Sequence, residues 1–240
     1  MAEQITQENR LLAVFTPLAV DTLLLASFAG TEGISRPFRY TLKLVADVLN
    51  NKPPQVKPHE LIGKPFTVRI KLSEPGEDTD TKERYITGFV ERFSKDGQDD
   101  EFAHYTAVLV PWFSFLGYAT NCRIFQDKTV PDIIQQVVSE LGYSAFLKVN
   151  LTKTYTAWDY CVQYRETDFA FISRLMEHEG IYYYFEHDNG KHIMILADAP
   201  SCYNPCPQQS TFRFAPVTGQ DTTEDTIRTW SAEEEIHSGK

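Results

Sequence analysis

The residues most suited to chemistry lie near the C-terminal third of the chain. Cys202 and Cys206 are separated by Tyr203, Asn204 and Pro205, and His187 and His192 lie just upstream. Two thiolates and two imidazoles are the ligand set of a tetrahedral zinc site. The three-residue spacer is loose for a redox pair, and a lone close pair of cysteines more often reads as loop thiols. The other catalytic patterns fail on spacing. His59-Glu60-Leu61-Ile62-Gly63 starts like the helical zinc-protease motif, but the second histidine is missing, and His178-Glu179 fails in the same way. Gly63-Lys64-Pro65 lacks the upstream glycine and the following Ser or Thr of a phosphate-binding loop. No Gly-x-Ser-x-Gly elbow occurs. Glu166 and Asp168 could pair as acids, but their place before an apolar periodic stretch suits the start of a helix. Tyr182, Tyr183, Tyr184 and Phe185 could bind a sugar or peptide. Core packing on one face and subunit contact on the other accounts for them more simply. The expectation is a protein that is not an enzyme and has no required metal or cofactor.

The elements around these residues are legible. Thr167 is a natural N-cap, Asp168 adds charge favoured by the helix dipole, and Phe169, Ile172, Leu175 and Met176 form an apolar stripe. Gly180 can close the helix, which predicts a helix near 168–179. Asp188-Asn189-Gly190-Lys191 predicts a tight turn between strands 181–185 and 192–196. Upstream, Thr129 with Asp132 has the form of a capping box. Ile133, Ile134, Val137, Val138 and Leu141 continue at helical spacing to Gly142, which predicts a second helix near 130–141. Before Trp112 the period is two. Phe66, Val68, Ile70 and Leu72 alternate with polar residues, as do Phe38, Tyr40, Leu42 and Leu44. The segment 102–110 is apolar on both faces, and 85–93 is a further strand in which Gly88 marks a bulge or bend. Polar linkers are expected at 50–58, 74–82 and 94–100. After residue 199 prolines dominate, then acidic residues with one β-like stretch at 226–230. This end reads as a chain stopping inside a larger protein.

Composition narrows the class. At 240 residues a sizeable core is possible. A formal charge of −10 disfavours a general nucleic-acid binder, and 13% aromatics lean towards strands and interfaces. The four cysteines are Cys122, Cys161, Cys202 and Cys206, in a chain with no visible secretory signal, so a disulfide framework is not expected. No apolar run is long enough to span a bilayer.

Several stretches resemble a known family. They are Tyr164-Arg165-Glu166-Thr167-Asp168-Phe169, Arg174-Leu175-Met176-Glu177, and Glu179-Gly180-Ile181-Tyr182-Tyr183-Tyr184-Phe185. Upstream are Ser35-Arg36-Pro37-Phe38-Arg39-Tyr40, Leu61-Ile62-Gly63-Lys64-Pro65-Phe66 and Pro111-Trp112-Phe113-Ser114-Phe115-Leu116. Together they are similar to the N-terminal region of VgrG, the valine-glycine repeat spike family of type VI secretion systems. The likeness runs over roughly 11–230. His178 departs from it, as the family usually has an acid there, and so do Cys202 and Cys206. The resemblance implies a mainly β fold with an α+β insert. Its parts would be a tail (1–10), a phage baseplate hub-like β-barrel domain (11–116), a helix and hairpin insertion (117–198), and a return segment (199–240) starting a second barrel. It implies a structural role in a homotrimeric spike base docked on the haemolysin-coregulated tube protein hexamer. Secretion baseplate proteins and effector cargo would be further partners. Assembly would be cytoplasmic, followed by export without a signal peptide, with no nucleic acid and no membrane insertion. A contractile phage tail baseplate hub protein is the near alternative, and a metal-dependent hydrolase the distant one.

Overall fold

Alternating apolar residues need a second layer to cover them, and the first hundred residues meet that need by curling one sheet on itself. The computed structural model describes residues 5–48, 56–72, 83–205, 211–215 and 226–234. Strands β1 (Leu12–Phe15), β2 (Leu24–Gly33), β3 (Arg36–Asp47), β4 (Pro65–Lys71), β5 (Glu83–Gln98) and β6 (Phe102–Val110) form a six-stranded antiparallel sheet. Its order is β1-β4-β5-β6-β3-β2, curled into a half-barrel. The one-turn helix α1 (Pro58–Leu61) buries Leu61 against it. The inner face holds Phe38, Leu42, Leu44, Phe66, Val68, Val90, Ala107 and Leu109, all nearly sealed from solvent. As the sequence suggests, β6 is buried on both faces from Tyr105 onward.

Two details of the sheet differ from expectation. The stretch 94–98 is strand and not linker: β5 continues to Gln98, with Lys95 opposite Tyr105 and Gln98 opposite Ala103. Its polar residues face water on an outer surface, which hides the strand from a pattern search. Gly88 is not at a bulge, because its pairing with Phe66 lies in an unbroken ladder. A Cβ there would lie 3.0 Å from both Leu109 Cβ and Phe38 Cε2, so the position needs glycine for close approach. The register shifts of β5 fall between Val90 and Arg92 and between Lys95 and Gly97. The expected linkers at 50–58 and 74–82 lie largely outside the described residues.

The second core starts at the short helix α2 (Trp112–Phe115). Strand β7 (Thr120–Phe125) pairs antiparallel with β9 (Cys161–Thr167). Helix α3 (Val130–Glu140) and helix α4 (Asp168–Glu179) fall where the apolar periodicity placed them. A three-stranded sheet joins β10 (Tyr182–Asp188), β11 (Lys191–Ala197) and the short β8 (Leu147–Asn150), which runs parallel to β11. The stripe of α4 buries Phe171, Ile172, Leu175 and Met176, while Phe169 is half-buried against Phe113. At 100° per residue, Phe171 shares the inward arc with Leu175. Gly180 closes α4 at φ 70° and Gly190 makes the hairpin turn at φ 79°.

The α3 cap is complete. Thr129 Oγ1 accepts from Asp132 N at 3.3 Å, and the Asp132 carboxylate accepts from Thr129 N at 3.4 Å. Thr129→Ala is expected to lower stability by about 1 kcal/mol. A shift in urea midpoint at constant slope measures it, and an unchanged midpoint would show that the cap contributes nothing.

Residues Met1–Asp198 form one compact unit and Ala199–Lys240 another. Within the second, Pro200–Cys202 makes a turn, and β12 (Arg213–Phe214) pairs parallel with β13 (Thr226–Ile227).

Candidate functional site

His187 and His192 are cross-strand partners on the hairpin, opposite one another in β10 and β11. Their ring centres are 6.0 Å apart. His192 is sealed among the rings of Phe38, Phe89 and Phe185, and its Nε2 accepts from Trp112 N at 3.1 Å. Burial pushes its pKa down to about 3, and the neighbouring His187 pushes the same way. His187 Nε2 meets Glu32 Oε1 at 3.0 Å. Its Nδ1 lies 3.2 Å from Thr87 N and 3.1 Å from Thr87 O. Glu32 also accepts from the Tyr40 hydroxyl. The hydrogen bond from His187 is the main cause holding the Glu32 carboxyl below its usual range. Burial, then Glu32, raises the Tyr40 hydroxyl.

Of the four residues with metal-ligand chemistry, the structure therefore brings two histidines together and gives them hydrogen-bond partners. Cys202 is buried within the unit that begins at Ala199, and Cys206 lies outside the described residues. Among the described residues no group of three His, Cys, Asp or Glu side chains is gathered as a metal site. His187 with Glu32 has the form of a base and its orienter, but the backbone of Thr87 occupies the other ring nitrogen.

Glu166 and Asp168 do not act as a pair. Glu166 bonds Arg174 at 2.6 Å. Asp168 is buried at the start of α4 and gathers Asn121 Nδ2 at 3.0 Å, Gln163 Nε2 at 2.8 Å and Arg123 Nη1 at 3.1 Å. It ties β7, β9 and α4 together. A second carboxylate anchor, Asp198, lies at the end of β11. Its burial opposes ionisation, but the amides of Lys153 and Thr152 and the hydroxyls of Tyr155 and Thr152 hold it at about 2. Sequence patterns single out neither role, because apart from Gln163 the partners come from elements some forty residues away.

The aromatic row divides as β geometry requires. Tyr183 is buried against Phe113, whereas Tyr182 and Tyr184 point the other way and are half-buried. Phe185 packs on both cores. Exposed apolar side chains gather on the outer face of β7 and β9. Ile124 stands opposite Val162 and Cys122 opposite Tyr164. Arg165, at φ 51°, is the extra residue of a bulge and lies 5.2 Å above the Tyr164 ring. Exposed tyrosine, arginine and isoleucine are the composition of a protein contact.

The chain that carries this geometry is similar to several known proteins. A family model described as phage tail baseplate hub (GPD) matches residues 31–240. The type VI secretion system spike protein VgrG1a of Pseudomonas aeruginosa is 40% identical over 233 residues, which cover 97% of this chain and 34% of that protein. VgrG1b of the same organism is 37% identical over 235 residues, covering 98% and 30%. The chain thus spans about a third of the length of these relatives. The actin cross-linking toxin VgrG1 of Vibrio cholerae is 29% identical over 197 residues, 78% of this chain and 17% of the toxin. Among solved structures, the E. coli c3393 protein is a component of the type VI secretion system with structural similarity to T4 bacteriophage tail proteins gp27 and gp5. It superposes with a TM-score of 0.62 at 23% identity, covering 76% of this chain and 50% of that one.

Proposed function

The chain belongs to the phage tail baseplate hub (GPD) family, and from that premise we propose that it is the hub segment of a type VI secretion spike. Three copies form the base that docks on a hexamer of tube protein and is driven into target cells. The observation that carries this reading is the continuous likeness to the spike protein of Pseudomonas aeruginosa, 40% identical across 97% of this chain. The half-barrel fits this reading, with β1 and β2 as edge strands whose backbones are bridged by the Gln7 side chain at Val14 and Leu25. In this reading residues 11–116 are the first hub barrel, 117–198 its insertion and 199–240 the return towards a second barrel, with 1–10 as a tail. The segment works without catalysis or a bound metal, it assembles in the cytoplasm, and effector cargo is a further partner. The family description itself favours a second reading, a hub protein of a contractile phage tail.

Mass-resolved chromatography of the full-length protein, with and without the tube protein, tests this. A trimer that co-elutes with tube hexamers is expected. A stable monomer that never co-elutes, in a cell whose secretion survives deletion of the gene, would defeat the proposal.

A further inference from the structure

The seam between the six-stranded sheet and the β10–β11 hairpin is closed by two histidines that respond differently to a proton. We propose that the cross-strand pair His187 and His192 is an acid-sensitive latch, which holds the hairpin on the sheet and releases it when the buried His192 ring becomes charged.

The geometry sets the asymmetry. His187 keeps partners in either state. Neutral, it donates from Nε2 to Glu32 and accepts at Nδ1 from Thr87 N. Charged, it donates from Nδ1 to the Thr87 carbonyl, 3.1 Å away, and forms an ion pair with Glu32. His192 is placed differently, because burial and the neighbouring His187 outweigh the Thr87 backbone, which favours its charged form. Its Nε2 accepts the Trp112 amide, so a proton there sets donor against donor and leaves a charge among phenyl rings. The rings face each other across the hairpin, where two like charges repel.

The other ionisable groups around the seam are few. Glu32 on β2 faces His187, and Tyr40 on β3 bonds Glu32. Arg84 on β5 acts on both of these through space. Asp188 follows His187 on β10, where its carbonyl accepts from Thr87 Oγ1 and its carboxylate pairs with Lys191. Tyr143 stacks on Trp112 from the side of the second core. Among the described residues Glu32 is the one carboxylate that bonds either ring, and of the two it bonds His187.

The sign follows from linkage. In the closed state His192 takes up a proton only near pH 3, whereas a released ring does so near its ordinary 6.5. The open state binds the extra proton between these values, so acid favours opening. One proton corresponds to about tenfold in the opening equilibrium per pH unit.

Hydrogen exchange of the full-length protein at pH 7 and pH 5, corrected for the intrinsic rate, reads this directly. Amides of 182–188 and 191–197 are expected to open about tenfold more readily per pH unit below 6.5, while those of α3 keep their protection. In His192→Gln the amide oxygen still accepts from Trp112 but cannot charge, so the pH dependence of the hairpin should vanish. Hairpin protection that is the same at both pH values, or equal acid opening in the variant, would overturn the latch. If the variant fails to fold at pH 7, an NMR titration of the wild-type ring decides. A ring that stays neutral while the hairpin is closed upholds the latch, and one that charges near pH 6.5 in the closed state overturns it.

Discussion

Asp168→Ala is expected to destabilise the protein by about 3 kcal/mol or more, the cost of leaving a largely buried ion unpaired. The carboxylate is the common acceptor for Asn121, Arg123 and Gln163, and its loss takes that acceptor from all three at once, although Gln163 keeps the Glu166 carbonyl. Arg123 retains Glu140 at 3.6 Å and some contact with water, so the loss belongs at the lower end of the range for broken buried pairs. Asp168→Asn should cost less, about 1–3 kcal/mol, because one oxygen remains to accept. Urea unfolding of the two variants beside wild type gives the order. Equal midpoints for wild type and Asp168→Ala would show that the network only decorates the helix start.

Phe38→Ala should have an effect of similar size, about 3–5 kcal/mol. The ring is 1% exposed and is the common neighbour of Tyr40, Phe185, His187 and His192. Removing it opens a cavity between sheet and hairpin that Gly88, lacking a side chain, cannot fill. A double-mutant cycle with Phe185→Ala isolates the edge-to-face contact, whose centroids lie 5.1 Å apart, and about 0.5–1.5 kcal/mol of coupling is expected. Strict additivity of the two losses would mean that the rings do not join sheet and hairpin.

Local chemistry made much of the fold legible. Thr129, Thr167, Gly180 and the Asn189-Gly190 turn are signals confined to a few residues, and α3, α4 and the hairpin lie where those signals put them. Strand β3 was visible because water meets one of its faces and the core the other. The end of β5 was hidden because Lys95 and Asp96 are both exposed, so no apolar alternation marks it. Strand β8 was hidden because four residues beside a parallel partner leave no pattern of their own. The anchors failed for a different reason. Asp168 reads as a dipole ornament until Asn121 and Arg123, some forty-five residues earlier in the chain, are brought to join the nearby Gln163 around it. The histidines look like ligands because the sequence shows their chemistry and not the Trp112 amide and Thr87 backbone that occupy them.

The order of strands also decides when the chain is vulnerable during synthesis. Strands β2 and β3 form a hairpin as soon as both have emerged from the ribosome, and β4, β5 and β6 follow one another as direct neighbours. Strand β3, however, has its second partner in β6, with Tyr40 opposite Leu109, and must wait for a strand made much later. Loop closure over that span is slow compared with local pairing. In the interval β3 presents a bare edge flanked by Leu42 and Leu44, the kind of edge that recruits another chain's strand. Exposure to such mispairing ends only when Val110 has left the exit tunnel and β6 can dock.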